Sequence, residues 1–162
     1  MYVNKMLFLF VFFWMATPLN AGSVTEETPA SSARFVANKN GTVTDVVTGL
    51  LLLQNANCFE PMTWSDALDT VAFLGHGQCG LTDHSVSGQW RLPSKEELDI
   101  LLIAKNSPEF IGVQSAHYWS GTSSDCLPDL AWYAPLAFGY VNGGDKTNTY
   151  RIWPVSGKVK AK

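Results

Sequence analysis

The sequence predicts an α+β fold in which two helices accompany small antiparallel sheets. Two segments, 62–74 and 94–104, carry apolar residues at helical spacing behind a capping signature. Before and after them, short stretches rich in aromatic and aliphatic residues are broken by Gly, Asn and Asp, which is typical of strands joined by turns. Together these segments fit one domain over residues 34–157.

The first 21 residues have the pattern of a secretory signal peptide. Lys5 precedes an uncharged run over residues 6–16, and Pro18 and the small residue Ala21 follow, so cleavage is expected after Ala21. The run is shorter than the roughly 20 apolar residues that span a bilayer, which leaves a retained anchor as the weaker alternative. We therefore expect a secreted, periplasmic or cell-surface protein with no membrane span after cleavage. Residues 22–33, rich in Ser, Thr, Glu and Pro, are expected to form a flexible leader.

The charge balance argues against nucleic acid as a partner. Without Lys5, the 11 basic groups become 11 − 1 = 10, against 14 acidic groups, and the cations are scattered. The end of the chain, residues 158–162, holds three lysines and is expected to be a solvated basic tail, with contact to anionic glycan or lipid as the alternative.

The first elements are predicted from turn residues and from helix caps. Asn40-Gly41 and Thr48-Gly49 separate short strands, since Asn-Gly supplies the positive φ angles of a tight hairpin. In the first helix Thr63 and Asp66 are in position to cap the opening turn. The apolar face is expected to consist of Trp64, Ala67, Leu68, Val71 and Ala72.

The second helix begins with Ser94 as N-cap and Glu97 in the capping-box position, and Leu98, Leu101 and Leu102 form its apolar stripe. Arg91 just before it could pair with a carboxylate or bond backbone carbonyls at the corner between strand and helix. We therefore interpret Arg91 and Glu97 as structural residues, in preference to a catalytic cluster. Three tryptophans are likewise expected in the core: Trp64, Trp90 and Trp119.

After Pro108 the pattern changes to aromatic strands, with the clearest hairpin tip predicted at Gly143-Gly144-Asp145. Trp132 and Tyr133 are neighbours on one strand, so one of them should point outward. Aromatic rings beside amides are what a glycan site needs. The candidate ligand-binding residues are therefore Trp132, Tyr133, Tyr140, Asn142, Asp145, Lys146 and Asn148; Tyr150 lies in the same stretch, and turn formation is the alternative role for most of them.

Cysteines and possible metal ligands give a further prediction. Cys58 and Cys79 flank the first helix and are predicted to form a disulfide in an oxidising compartment. Cys126 would then be a free thiol or an intermolecular link, unless the pairing is different. Asp125 and Asp129 bracket it without the converging oxygens that calcium needs, and the three histidines lack partners at zinc-ligand spacing. No metal and no cofactor are expected.

The ordered segments NGTVTDVVTGLLL, NANCF, TWSDAL, QCGLTD, WRLPSKEEL, VQSAHYWSGT and DKTNTYRIWPVSG resemble the Lcl C-terminal-domain family. This bacterial group is named after a collagen-like adhesin and is of unknown function. The resemblance covers Arg34 to Gly157 and implies a C-type-lectin-like fold with chain ends that meet in a sheet. It also implies the same pairing of Cys58 with Cys79. The first hairpin lacks the acidic residues common in the family, which argues against calcium there.

These observations predict an exported, non-catalytic binding module that recognises a glycan or another surface ligand. The partner would be a glycan or a cell-envelope protein, and the alternative is a structural module that assembles an envelope complex. WRLPSKEEL also resembles the helix start of formylglycine-generating enzymes, but those oxidoreductases use a late cysteine pair for copper. Only Cys126 follows Cys79, so this third reading is the least favoured.

Overall fold

The protein is described by a computed structural model that covers residues 33–158. In this range two helices and eight strands form an α+β arrangement, which confirms the predicted fold class; its C-type-lectin-like character stays a prediction. The elements in chain order are β1 (Phe35–Ala37), β2 (Thr42–Asp45), β3 (Leu51–Leu53), α1 (Trp64–Ala72), β4 (Trp90–Arg91), α2 (Leu98–Ala104), β5 (His117–Ser123), β6 (Leu130–Pro135), β7 (Asn142–Asp145) and β8 (Val155–Ser156).

The predicted signal peptide, residues 1–21, lies outside the described residues. The same holds for the leader apart from Ala33 and for the basic tail apart from Lys158. Between residues 33 and 158, no helix has the length and apolarity required to cross a membrane.

A five-stranded antiparallel sheet has the order β1-β2-β3-β8-β4, so the last strand of the domain lies between β3 and β4. Val43 pairs with Leu52, which pairs with Val155, and all three are fully buried. Because facing residues of neighbouring strands point to the same side of a sheet, this row forms part of the core face.

The turn between β1 and β2 is specified by backbone conformation and by close packing. Gly41 has a φ of +83°, and a Cβ there would lie 2.3 Å from the carbonyl oxygen of Gly80. Glycine is therefore required at this position. The second positive φ angle in the turn belongs to Lys39, at 59°, so the prediction that Asn40 supplies it was wrong.

Helix α1 begins as the sequence predicts. The hydroxyl of Thr63 accepts a hydrogen bond from the backbone N–H of Asp66 and donates one to its carboxylate. Ala67 and Val71 are buried, but Ala72 is exposed, so its predicted place on the apolar face was wrong. The apolar face predicted for α1 therefore included one exposed residue, Ala72.

Helix α2 is preceded by a reciprocal cap. The backbone N–H of Ser94 donates to Glu97 Oε2 at 2.8 Å, and the backbone N–H of Glu97 donates to the hydroxyl of Ser94 at 3.3 Å. This is the capping-box arrangement, in which each residue satisfies an otherwise free amide. The regular helix begins at Leu98 with Glu97 as its N-cap residue, three residues later than the predicted N-cap at Ser94. Leu98 and Leu101 are buried as expected, whereas Leu102 is half-buried.

A second antiparallel sheet has the order β5-β6-β7. The segment Gly143-Gly144-Asp145 lies inside β7, so its predicted role as a hairpin tip was wrong. The connection between β6 and β7 is made by residues 136–141, which include Gly139 with a φ of +81°.

The core is dominated by four aromatic side chains, with Trp90, Trp119, Trp153 and Tyr118 each 2% exposed or less. Each buried indole nitrogen has an acceptor; that of Trp119 donates to the carbonyl oxygen of Met62 at 3.1 Å. Trp64 is half-buried at the start of α1, and its indole donates to the carbonyl oxygen of Ser120. The tryptophans thus bring apolar surface into the core without leaving an unsatisfied N–H.

Candidate functional site

Three aromatic rings come together on one side of the second sheet. His117 lies on β5, Tyr133 on β6 and Tyr150 just after β7, and their ring centroids are 4.7–4.9 Å apart in every pair. Beneath them lies Trp119, fully buried, with its ring centroid 4.3 Å from that of Tyr150. The three residues above it are only half-buried, so they cover a core tryptophan while part of their own surface remains accessible to solvent.

Gly144 on β7 is the backbone support for two of these rings. A Cβ at this position would lie 3.0 Å from Cδ1 and Cε1 of Tyr133 and 3.0 Å from Cε2 of Tyr150. Carbon atoms are normally separated by about 3.5–4.0 Å in favourable contacts. The bare backbone of Gly144 therefore allows Tyr133 and Tyr150 to lie directly against β7.

Polar groups surround the rings. Asn142 faces Tyr133 in the β6–β7 register, which places both side chains on the same side of the sheet. Asn148 donates from its side-chain nitrogen to the hydroxyl of Tyr150 at 3.1 Å. Burial raises the pKa of Tyr133, and the nearby Tyr150 and Tyr140 add to this effect. The Tyr133 phenol therefore stays protonated at neutral pH and keeps its ability to donate a hydrogen bond.

The connection after β6 carries two more rings, one of which, Tyr140, is close enough to Tyr133 to raise its pKa. Phe138 and Tyr140 lie on it with 70% and 53% of their surface exposed, and their rings are near-parallel with centroids 6.1 Å apart. We call the five residues His117, Tyr133, Phe138, Tyr140 and Tyr150 the aromatic face. Two of them, His117 and Phe138, were missed by the sequence analysis, although the alternation of His117 with Trp119 along β5 was a usable signal.

A notch beside the aromatic face has a volume of about 360 Å³. His117 and Tyr150 line it together with Pro61, Thr149 and Arg151. The guanidinium of Arg151 donates to the side-chain oxygen of Asn57. The aromatic face is therefore bordered by a concave surface that offers a cation, a hydroxyl and ring edges.

The remaining candidate residues do not join this cluster. Trp132 is next to Tyr133 on β6 and therefore points to the opposite side of the sheet, where the ammonium of Lys95 lies 3.5 Å from its ring centroid. Asp145 accepts bonds from the backbone and hydroxyl of Thr147, which lower its pKa and form a turn. Lys146 donates to the hydroxyl of Ser123 and the carbonyl oxygen of Pro128, and its ammonium also lies 4.3 Å from the ring centroid of Trp64.

Arg91 and Glu97 form a bidentate ion pair at the corner between β4 and α2. The two guanidinium nitrogens lie 2.6 and 2.8 Å from the carboxylate oxygens, and they also donate to the carbonyl oxygens of Leu92 and Gly157. Burial raises the pKa of Glu97, but the bonds from Arg91 and from the backbone of Ser94 outweigh it, so the pKa lies below its usual value. The pair joins α2 to both the strand before it and the end of the domain.

The predicted disulfide is confirmed, since Cys58 and Cys79 are bonded and close the loop that contains α1. Such a bond is what an oxidising compartment produces. Cys126 is a free, exposed thiol on the loop between β5 and β6. Among residues 33–158, no three His, Cys, Asp or Glu side chains are grouped as metal ligands.

The fold and the site define an α+β domain whose second sheet carries a preformed aromatic surface. The family model of the Lcl C-terminal domain matches residues 41–156, and the chain belongs to this family. No curated protein shows a significant similarity to it.

Proposed function

We propose that this protein is an exported, non-catalytic module that binds carbohydrate through its aromatic face. The observation that carries the proposal is the mutual packing of His117, Tyr133 and Tyr150 over Trp119, with each of the three residues only half-buried. A pyranose ring offers flat C–H surfaces, which stack on aromatic rings. The phenol and amide groups of Tyr133, Asn142 and Asn148 supply hydrogen bonds for sugar hydroxyls.

The placement of the charged residues supports binding in preference to catalysis. The buried carboxylates with lowered pKa values, Asp45 and Glu97, are each held by a bidentate arginine, Arg34 and Arg91 respectively. Both ion pairs connect elements of the scaffold. A general acid or base needs a pKa close to the working pH. The two ion pairs instead lower the pKa values of the carboxylates and so move them further from neutral pH.

The proposal is tested with a glycan array on the mature protein, followed by titration calorimetry with the best ligand. Phe138→Ala and Tyr140→Ala should each weaken binding by about fivefold, since an aromatic stacking contact contributes about 1 kcal/mol and 1.4 kcal/mol corresponds to tenfold. Phe73→Ala is the matched control, because Phe73 is 71% exposed at the end of α1 and Phe138 is 70% exposed.

Phe73→Ala should leave the affinity unchanged. A blank array, or equal losses from Phe73→Ala and Phe138→Ala, would contradict the proposal.

The second candidate is a module that assembles a cell-envelope complex. It is favoured by exposed apolar residues away from the aromatic face, above all Phe73 and Val86, which line a shallow depression with His76 and Gln78. In that case Phe73→Ala should alter the oligomer size in light scattering, whereas Tyr140→Ala should not.

A further inference from the structure

A second concave surface lies on the first sheet, and we call it the polar groove. It runs between the turn after β1, the loop before β4 and the end of β8, and its volume is about 480 Å³. Ligand pockets in proteins commonly have volumes of about 300–1,000 Å³. Among the residues that line it are Asn40, Leu51, Asp83, Ser85, Gln89, Ser156 and Gly157.

Two amides in the polar groove are fixed through their oxygen atoms. Asn40 Oδ1 accepts from the backbone N–H and the hydroxyl of Thr42, at 3.2 and 2.7 Å. Gln89 Oε1 accepts from the backbone N–H of Val86 at 3.0 Å. These bonds define which end of each amide is the NH₂ group. Neither NH₂ group has an acceptor among residues 33–158, so both can donate to a ligand.

The carboxylate of Asp83 is fixed in a similar way. Its Oδ1 accepts from the backbone N–H of Ser85 at 3.1 Å and from its hydroxyl at 2.7 Å, and that hydroxyl accepts from the indole of Trp90 at 3.0 Å. Oδ2 has no donor within the described range. The polar groove thus combines two oriented amide donors with one oriented carboxylate acceptor, and Leu51 is an apolar wall beside them.

This set of groups selects for hydroxyls. Among residues 33–158 no cationic side chain lines the polar groove, and the one formal charge that these residues place there is negative, which favours an uncharged ligand over an anionic one. A hydroxyl can donate to the free oxygen of Asp83 and accept from the NH₂ of Asn40 or Gln89 at the same time. Neighbouring hydroxyls on a sugar ring place hydrogen-bond donors and acceptors side by side. Because Trp90 is buried, recognition here depends on hydrogen bonds and not on ring stacking.

We propose that the polar groove is a second binding site, separate from the aromatic face, and that it takes an uncharged saccharide residue through Asn40, Asp83 and Gln89. Two sites on one domain would let a single chain contact two positions on a glycan or two glycans at once. Such bivalency raises the overall affinity without a new contact at either site.

Two indole N–H groups allow the sites to be observed separately by ¹H–¹⁵N NMR. The indole of Trp90 donates to Ser85 in the polar groove, whereas the indole of Trp119 lies below the aromatic face. The mature protein is titrated with methyl glycosides of glucose, galactose and mannose. At least one should shift the Trp90 indole and the Gln89 side-chain amide, whatever happens at Trp119.

Isosteric substitutions test the assignment of each group. Asp83→Asn keeps the side-chain oxygen that accepts from the backbone N–H of Ser85, and replaces the free carboxylate oxygen by an NH₂ donor. Gln89→Glu keeps the oxygen that accepts from the backbone N–H of Val86, and replaces the free NH₂ donor by an oxygen acceptor. Each should weaken the groove titration by about tenfold, the equivalent of 1.4 kcal/mol. Asn142→Asp makes the same change of charge as Gln89→Glu, but beside Tyr133 of the aromatic face, and should leave the Trp90 titration unchanged.

The proposal is overturned if none of the glycosides shifts the Trp90 and Gln89 resonances at the highest soluble concentration. It is also overturned if N-acetylglycinamide shifts them and the sugars do not, which would assign the polar groove to peptide. Shifts at Trp119 alone would support the aromatic face and reject the polar groove, whereas shifts at Trp90 alone would do the reverse.

Discussion

Gly143 and Gly144 are neighbours on β7, and replacing each by alanine should have opposite effects. Neither residue has a positive φ angle, so alanine is allowed by the backbone at both positions. At Gly143 a Cβ would meet only Cδ1 of Leu130, at the ordinary distance of 3.6 Å. At Gly144 it would lie 3.0 Å from two carbons of Tyr133 and one of Tyr150.

The expected magnitude follows from these distances. The two rings would have to move by about 0.5 Å to restore normal contact. They are backed by His117 and by the buried Trp119, so the strain of overpacking is expected to be about 1–3 kcal/mol. Alanine also restricts the unfolded chain and thereby stabilises by about 0.4–1 kcal/mol. Gly144→Ala should therefore destabilise by about 1–2 kcal/mol net, whereas Gly143→Ala should be neutral or slightly stabilising.

Thermal unfolding followed by circular dichroism measures this difference. The melting temperature of Gly144→Ala should fall by about 4–8 °C, and that of Gly143→Ala should stay equal or rise slightly. The ring-proton NMR shifts of Tyr133 and Tyr150 should change only in the first variant. Equal melting temperatures for the two variants, with unchanged tyrosine shifts, would refute the idea that Gly144 supports the rings. Carbohydrate affinity should fall with the same variant.

Three further predictions concern the scaffold. Replacing Cys58 and Cys79 together by alanine should lower the free energy of unfolding by about 3.3 kcal/mol, from the chain-entropy relation for a separation of 21 residues; urea unfolding with and without reductant measures it. Because the pKa of Glu97 is lowered in the fold, its stabilising contribution is complete above the ordinary value of 4.5 and is lost as the pH falls through the lowered one. Glu97→Gln, less stable at pH 7, should therefore lose less stability than the wild type on acidification, and parallel pH profiles would argue against the ion pair with Arg91. Thr63→Ala should cost about 1 kcal/mol through loss of the α1 cap, with Thr147→Ala in an exposed turn as a comparison in the same urea assay.

Features encoded locally could be predicted from the sequence. The cap of α1 at Thr63 and the reciprocal cap of Ser94 with Glu97 depend on residues three positions apart, and the structure has both. The disulfide between Cys58 and Cys79, 21 residues apart, could be predicted because the two cysteines flank one predicted helix in a chain expected to be exported, and because the family resemblance implies the same pair. In the two caps the determining contacts lie three residues apart along the chain.

The aromatic face depends instead on pairings between distant segments. Gly143-Gly144-Asp145 has turn-like composition, and nothing local reveals that Tyr133 and Tyr150 need a bare backbone beneath them. Adjacency on β6 implied that Trp132 and Tyr133 point to opposite sides, but which side holds the cluster is decided by the pairing of β6 with both neighbours. His117 joins the cluster by the same pairing: its alternation with Trp119 along β5 indicates that both side chains lie on one side of the sheet, but not that Tyr133 and Tyr150 lie beside them.

The rings of the aromatic face differ in how firmly the scaffold holds them, and this difference should affect binding. Ordering a flexible side chain on binding costs about 0.5–1.5 kcal/mol, and His117, Tyr133 and Tyr150 are already held by one another, by Trp119 and by β7. Phe138 and Tyr140 contact each other at an exposed connection and have more freedom to lose. The three rigid rings should therefore determine which sugar ring binds. Phe138 and Tyr140 should adjust their conformation to the neighbouring part of the glycan. Substitution at Tyr140 should then reduce affinity for many glycans alike, whereas Tyr133→Phe, which keeps the ring and removes one hydroxyl, should change the order of preference among them.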